Sequence, residues 1–342
     1  QAGRGYSHYA NLRSDSRVGL IDRHNYFGGG RGGMIRNASM LASPGGGSLS
    51  AGMQQVVDRP FMLSEWIHVA PTEWGVEGPA LIGAYGMGLQ GWDVSFLFQN
   101  RDQGRFLDVI GGRGHNVWEA LAPQVLGIFP AVSRQVLRGD VRESQELAVR
   151  NVHVPSLFEA RLSFDDQVAQ EHDVKTFSSD KVPASALAAA RCVVDFTEEY
   201  KQTPAFNLEP YTDGGTLVSS TKDLRWHGGE SRMDGCVTIN TSSTQAVVGF
   251  AGGKTFDLEH VTIAPECRYA AIYLTPRDKE KTLADAKKIL VTAIARARNT
   301  GMKIYADNVV LAKGKAPVLM EPVKAAIKLK RKGSAKVRIL DH

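Results

Sequence analysis

One carboxylate in this chain stands where a β-strand of an enzyme often delivers a catalytic acid. The segment from Pro60 to Trp66 runs from apolar residues straight into Glu65, which an aromatic residue follows. A buried parallel strand of a (β/α)₈ barrel has this pattern when it carries a catalytic carboxylate at its C-terminal end. Glu65 is therefore the candidate catalytic residue. The structural alternative is a glutamate that caps a helix or pairs with a cation at a strand end.

Two further apolar segments flank this one and predict the elements that would position it. The segment 18–26 reads as a short buried strand ending in polar and aromatic residues, and 92–98 reads as another strand. Apolar residues at helical spacing follow Pro79, and an amphipathic helix is predicted from Pro123 to Arg138. Strands that alternate with helices in this way predict a parallel sheet covered by helices.

After residue 140 the pattern changes to short alternating segments separated by Gly, Pro and Asp. Strands are predicted at 236–240, 245–250 and 269–274, and a short helix at 184–193. The composition of 289–298 allows a helix, but its alternation and the turn residues that follow favour a strand. The chain is thus divided into four predicted regions: 1–140, 141–210, 211–312 (a β-sandwich-like module) and 313–342 (the start of a further β segment).

The chemistry-bearing segments resemble a known enzyme family. The succession of 22–26, 64–66, 78–80, 84–85 and 91–93 is similar to the last third of a clan A (β/α)₈ glycoside hydrolase barrel, the clan of bacterial β-galactosidases, β-agarases and cellulases. The resemblance implies an α/β plus all-β fold class. About three β/α units, matching barrel strands six to eight, would be followed by a β-sandwich-like region.

The resemblance also implies roles for individual residues. Glu65 would be the nucleophile of a retaining hydrolysis of O-glycosidic bonds in a poly- or oligosaccharide, and no cofactor is needed. Donors beside a nucleophile stabilise its ionised form, and aromatic rings stack on the apolar faces of sugars. The expected substrate-binding residues are His24, Tyr26, Trp66, Trp74 and Trp92.

The acid/base partner of such a nucleophile is the point where the chain departs from the family. The clan carries that glutamate after an Asn on strand four, but the residues before Val18 are too few for five more β/α units, and no Asn-Glu pair occurs. The resemblance therefore implies a piece of a larger enzyme, inactive or nearly so alone. Glu77 is favoured as a helix cap, and Asp93 is favoured as a structural partner of Arg59 or Arg101. The other acids of this part of the chain that could replace the missing acid/base residue are Glu73 and Asp102.

Other classes of function have weaker support. His24, His68 and His115 lack tight metal-ligand spacing, so no metal site is predicted. The glycine-rich stretch 28–33 has no GK[ST], so an active-site loop is favoured over a phosphate loop. No Gly-x-Ser-x-Gly elbow occurs. Three separated cysteines indicate neither a disulfide framework nor a zinc site.

Bulk properties restrict the partners. The 342 residues include no run of about 18 apolar residues, so no membrane helix is predicted. The net charge is +5, and much of the basic excess lies in 324–338, where apolar residues alternate with the charges. An exposed strand pair turning at Gly333 is favoured there over a nucleic-acid site. Two non-enzymatic alternatives stay open, a carbohydrate-binding protein and a structural or assembly protein. The oligomeric state and the compartment are also open, and only the resemblance implies secretion or a periplasmic location.

Overall fold

The computed structural model describes residues 5–29, 37–99, 107–111, 118–161, 167–171, 174–178, 181–305 and 309–340. Within these ranges, no helix combines the length and apolarity that crossing a membrane requires. The α-helices are α1 (Gly5–Ser16), α2 (Glu77–Leu81), α3 (Pro123–Leu126), α4 (Phe129–Arg138) and α5 (Val154–Phe158). A π-helix (Ile82–Leu89) continues α2, and 3₁₀ turns span Met40–Ala42, Gly47–Gln54, Ala184–Ala188 and Glu209–Tyr211.

The rest of the regular secondary structure consists of β-strands. The first strands are β1 (Ile21–Phe27), β2 (Phe61–His68), β3 (Val94–Leu97), β4 (Leu147–His153), β5 (Gln167–Glu171), β6 (Val174–Ser178) and β7 (Arg191–Thr197). The next are β8 (Thr212–Asp213), β9 (Thr216–Val218), β10 (Leu224–His227), β11 (Cys236–Asn240), β12 (Gln245–Gly249), β13 (Phe256–Asp257) and β14 (Val261–Pro265). The last are β15 (Ala270–Pro276), β16 (Ile289–Ile294), β17 (Ala297–Thr300), β18 (Lys303–Tyr305), β19 (Val309–Ala312), β20 (Lys315–Met320) and β21 (Ala325–Leu329).

The first three strands form a parallel sheet in the order β1-β2-β3. The sequence pattern predicted three such strands, and each lies within a few residues of its predicted position. Across the described ranges, this sheet does not close into a barrel. The architecture is therefore a mixed α/β part joined to a β-rich part, which is coarser than the predicted partial barrel.

Helices cover one face of the parallel sheet, and glycines set how closely they approach it. The helix predicted after Pro79 begins at Glu77 and becomes a π-helix. An added Cβ at Gly86 in that helix would lie 2.6 Å from the Trp92 ring, so only glycine allows the contact. The helix predicted from 123 to 138 is interrupted at Gly127, which separates α3 from α4.

The β-rich part is built on a seven-stranded antiparallel sheet in the order β16-β15-β12-β11-β10-β9-β8. Its apolar residues alternate between two buried faces. Ala271 and Tyr273 face a core shared with the first 140 residues, whereas Ile272 and Leu274 face a second core with the sheet β13-β14-β21. Because both faces are buried, the strands read as nearly continuous apolar runs.

The predicted region boundary at residue 140 does not divide the core. Trp226 of β10 donates its Nε1–H to the Leu41 carbonyl at 2.8 Å, and its ring lies 4.9 Å from that of Tyr85 in the π-helix. Trp74, in the loop after β2, packs against Phe250 and Tyr269. The seven-stranded sheet therefore packs directly on the α/β part.

Two predictions in the second half have different outcomes. The segment 289–298 forms strands β16 and β17, as its alternation indicated. The strand pair predicted to turn at Gly333 is wrong, because residues 330–340 form no strand and β21 pairs with β14 instead. The apolar residues of the second predicted strand, Val337 and Ile339, are 87% and 95% exposed, so they pack against no part of the core.

The contact between Gly86 and Trp92 gives the first prediction. We expect Gly86→Ala to lower the free energy of unfolding by about 1–2 kcal/mol, because overpacking outweighs the gain in helix propensity. Gly29→Ala is the control, since its added Cβ meets only Val69 Cγ2, at 3.9 Å. Urea denaturation of both variants measures the difference, and equal stabilities would contradict the packing argument.

Candidate functional site

A β-bulge in β2 shapes the candidate site. The register of β1 and β2 pairs Arg23 with Leu63 but His24 with Glu65, so Ser64 is an extra residue in β2. The register of β2 and β3 shifts at the same place. Such a bulge reverses the alternation of side chains along the strand that contains it.

The reversal places Glu65 away from the helices. Before the bulge, Phe61 and Leu63 are buried; after it, Trp66 and His68 are buried. These four lie on what we call the helix face, where Trp66 packs against α2. Without the extra residue, Glu65 would follow Phe61 and Leu63 onto that face. With it, the Glu65 carboxylate lies on the opposite face, called the site face.

Three predicted residues meet on the site face. His24 and Tyr26 are two residues apart on β1, so their side chains share one side of the strand. The Tyr26 hydroxyl donates a short hydrogen bond to Glu65 Oε2. His24 Nδ1 lies 3.2 Å from the same oxygen, and the His24 and Glu65 side chains are 46% and 32% exposed. The cluster is thus both ordered by protein contacts and open to solvent.

The two contacts leave the Glu65 carboxylate asymmetric. Both go to Oε2, and no described residue donates to Oε1. A hydrogen bond to one oxygen fixes the plane of a carboxylate. The other oxygen is then free to meet an electrophile. This is the arrangement that a carboxylate nucleophile needs.

An aromatic group beside the cluster was not predicted from the sequence. The Trp118 ring lies 6.2 Å from that of Tyr26 and 6.1 Å from that of Phe98, which follows β3. Trp118 is 37% exposed, so part of its ring is available to a ligand. No spacing signal marked it, because it lies in the loop region beyond β3.

The three tryptophans predicted to stack on sugar lie elsewhere. Trp66, Trp74 and Trp92 are only 3%, 2% and 3% exposed. Trp66 donates to Ser95 Oγ at 2.7 Å on the helix face, and Trp92 packs on Phe61 with ring centroids 5.0 Å apart. Their ring faces are covered by protein, so the prediction that they bind substrate is wrong for this structure. Their role is core packing.

Glu73, considered as a general acid, is held as an anion. Burial opposes its ionisation, but the Arg298 guanidinium, with help from Asn37 and Arg296, lowers the pKa of Glu73 below its ordinary value. Arg298 Nε and Arg296 Nη1 lie 2.5 and 3.0 Å from its Oε1. An acid kept ionised in this way carries no proton to donate near neutral pH.

Glu77 has a higher pKa than Glu73, but its carboxyl group is fully buried and solvent does not reach it. Burial raises its pKa to about 8, against hydrogen bonds from the Met40 amide at 2.6 Å and the Ser39 hydroxyl at 2.7 Å. It lies in the first turn of α2, yet its carboxylate binds a 3₁₀ turn and does not cap its own helix. His68 Nδ1 lies 3.5 Å from its Oε1, and burial lowers the pKa of His68 to about 3.

The remaining candidates give no further chemistry. Asp93 has a structural role, as predicted, but its partner is the Phe61 amide at 2.9 Å, whereas Arg59 pairs with Asp58 and Arg101 lies outside the described residues. Asp102 and His115, like the glycines at 30–33, lie outside the described residues. Among the residues that the structure describes, no three His, Cys, Asp or Glu side chains are placed to hold a metal ion.

Comparisons of the chain with protein-family models, with curated proteins and with solved structures each gave no match. The function therefore has to be argued from the side chains around Glu65. That cluster combines a carboxylate hydrogen-bonded by the Tyr26 hydroxyl, the His24 imidazole 3.2 Å from the same oxygen, and a partly exposed indole.

Burial separates the tryptophans by role, which gives the second prediction. We expect Trp92→Ala to lower the free energy of unfolding by about 3–5 kcal/mol, because it empties a packed core position. Trp118→Ala should change it by less than about 1 kcal/mol, because the ring is partly exposed. Denaturant unfolding of the two variants is the measurement. A large loss for Trp118→Ala would show that this ring is also a core residue.

The buried pair of His68 and Glu77 gives a third prediction, on pH. In the folded protein the pair holds one proton between about pH 3 and about pH 8. In the unfolded chain His68 and Glu77 have their ordinary pKa values of 6.5 and 4.5, so the pair holds one proton only between pH 4.5 and pH 6.5. The contribution of this pair to the free energy of unfolding should therefore rise from pH 3 to pH 4.5, stay constant to pH 6.5, and fall above pH 6.5. The fall should be about 1.4 kcal/mol per pH unit, or about 2 kcal/mol by pH 8.

The control for this pH profile is Glu77→Gln, which removes the raised pKa and keeps His68. The contribution of this site to the free energy of unfolding should stay constant between pH 6.5 and pH 8 in the variant, whereas it falls in the wild type. Denaturant titrations at pH 5.5, 7 and 8 compare the two proteins. Parallel curves over that interval would show that Glu77 does not keep its proton in the folded state.

Proposed function

We propose that this chain supplies the nucleophile of a retaining glycoside hydrolase that acts on O-glycosidic bonds of a poly- or oligosaccharide. The observation that carries the proposal is the asymmetric carboxylate of Glu65. Tyr26 and His24 hold Oε2, and Oε1 has no donor among the described residues. The resemblance of the segments around 22–26 and 64–66 to clan A enzymes supports the same assignment.

The reaction follows from this geometry. Oε1 of Glu65 forms a bond to the anomeric carbon while the bond from that carbon to the leaving oxygen breaks, giving a glycosyl ester. Water then attacks the same carbon, loses a proton to the base form of the residue that protonated the leaving oxygen, and releases the carboxylate. The Tyr26 hydroxyl and the His24 ring keep the carboxylate oriented through both steps. The exposed face of Trp118 is placed to stack on a sugar ring.

The leaving oxygen needs a proton from a carboxylic acid roughly 5 Å from the nucleophile. Among the described residues, no second carboxylate is hydrogen-bonded to Glu65 or His24. The proposal therefore assigns only the nucleophile side of the site. It is tested best with a substrate whose leaving group departs without a proton.

Dinitrophenyl 2-deoxy-2-fluoroglycosides meet that requirement. The leaving group needs no general acid, and the fluorine slows hydrolysis of the glycosyl ester, so labelled protein accumulates. We expect at least one member of a β-glucosyl, β-galactosyl and β-mannosyl panel to add one fluoroglycosyl group, detected by intact mass and located on Glu65 by peptide mapping.

Variants make this labelling specific. Glu65→Gln should not be labelled, whereas Glu198→Gln, which alters an exposed glutamate, should be labelled like the wild type. Tyr26→Phe should be labelled about 10- to 100-fold more slowly, because it loses a hydrogen bond to a charged group. Labelling that persists in Glu65→Gln would remove the assignment.

The non-catalytic alternative has its own outcome. If no glycoside labels the protein, yet its migration is retarded in a polysaccharide gel and Trp118→Ala abolishes the retardation, the cluster is a binding site without catalysis. Absence of both labelling and retardation would overturn both carbohydrate functions.

A further inference from the structure

The bulge in β2 leaves one backbone amide outside the strand register, and a carboxylate from β1 meets it. Ser64 is the extra residue, and its N–H donates to Asp22 Oδ1 at 3.3 Å. Asp22 is two residues before His24, so both side chains lie on the site face. The same face thus holds the nucleophile, its donors and the acceptor of the bulged amide.

This contact has a consequence for Glu65. In a regular strand Ser64 would pair with a residue of β1, and alternation would then place Glu65 on the helix face with Phe61 and Leu63. The bulged strand removes an amide from the register, and an amide without an acceptor is costly in a partly buried place. Asp22 supplies that acceptor and therefore favours the bulged conformation over the regular one.

Asp22 is itself held in place by its neighbour. Arg23 Nη1 donates to the Asp22 carbonyl oxygen at 2.6 Å, and Arg23 Nη2 lies 2.9 Å from the Asp15 carboxylate of α1. These contacts tie the first part of β1 to α1. The Asp22 carboxylate is thus presented to β2 from a fixed backbone position.

We propose that Asp22 is a positioning residue for the site: by accepting the Ser64 amide it sets which face of β2 presents Glu65. Its kinetic consequence rests on the proposed function, but its structural consequence does not. Asp22 acts through the backbone of β2, and no contact between the Asp22 and Glu65 side chains is needed.

The structural consequence can be read with a thiol. Glu65→Cys reports which face position 65 occupies, because a thiol reagent reacts with an exposed cysteine and hardly with a buried one. Cys192 and Cys236 are buried, and Cys267, which is partly exposed, is replaced by serine in all of these variants. In the Glu65→Cys protein, adding Asp22→Ala should slow modification about tenfold or more.

Two companion variants separate positioning from general destabilisation. Asp22→Asn keeps an oxygen acceptor and should largely restore the modification rate. Asp93→Ala removes a carboxylate bound to another amide of β2, that of Phe61, away from the bulge. It should lower the melting temperature without slowing modification. Thermal unfolding of every variant shows that each one is folded at the assay temperature.

The kinetic arm uses the fluoroglycoside labelling with Glu65 present. Asp22→Ala should be labelled about tenfold or more slowly, with Asp22→Asn and Asp93→Ala close to the wild type. If Asp22→Ala leaves both the thiol modification and the labelling unchanged, the positioning role is overturned. If the wild type is never labelled, the proposed function fails, while the thiol measurement still decides the role of Asp22.

Discussion

The β-bulge at Ser64 is the constraint on which the candidate site depends. Side chains of a strand alternate, so one extra residue exchanges the faces of everything that follows it. Here the exchange puts Trp66 and His68 among the helices and Glu65 on the side of His24 and Tyr26. A strand that is apolar for folding can in this way present one carboxylate for chemistry, without burying a charge in the core.

The β-rich part also supports the parallel sheet, through contacts to the loop after β2. The loop after β2 is held from that side, because the Tyr269 hydroxyl donates to the Trp74 carbonyl at 2.9 Å. Glu73 of the same loop is paired with Arg296 and Arg298, more than two hundred residues later in the chain. The contacts that hold the loop after β2 therefore come from both halves of the protein.

The sequence predicted that His24, Tyr26 and Glu65 lie on two neighbouring parallel strands, and the register of β1 and β2 brings them together within those strands. The sequence failed on the tryptophans for reasons that geometry makes plain. Trp66 follows Glu65 directly, so period-two alternation alone sets the two on opposite faces. Trp92 is confined by Gly86, a contact between a strand entry and a helix that no local pattern encodes. Trp118 lies beside Tyr26, and no spacing pattern in the sequence marked it.

Two histidine–glutamate pairs on β2 show why burial, more than residue type, decides what such a pair can do. Glu65 lies 3.2 Å from His24, and His68 lies 3.5 Å from Glu77, so the separations are similar. The second pair is almost wholly inaccessible, with side chains 1% and 0% exposed, and no substrate can reach the proton it holds. The first pair is partly exposed, so its carboxylate can be oriented by protein and still be reached from solvent. Glu65 and His68 are three residues apart after the bulge, so alternation puts them on different faces, and the bulge decides which face each one takes. A single strand therefore serves the core with one pair and the site with the other.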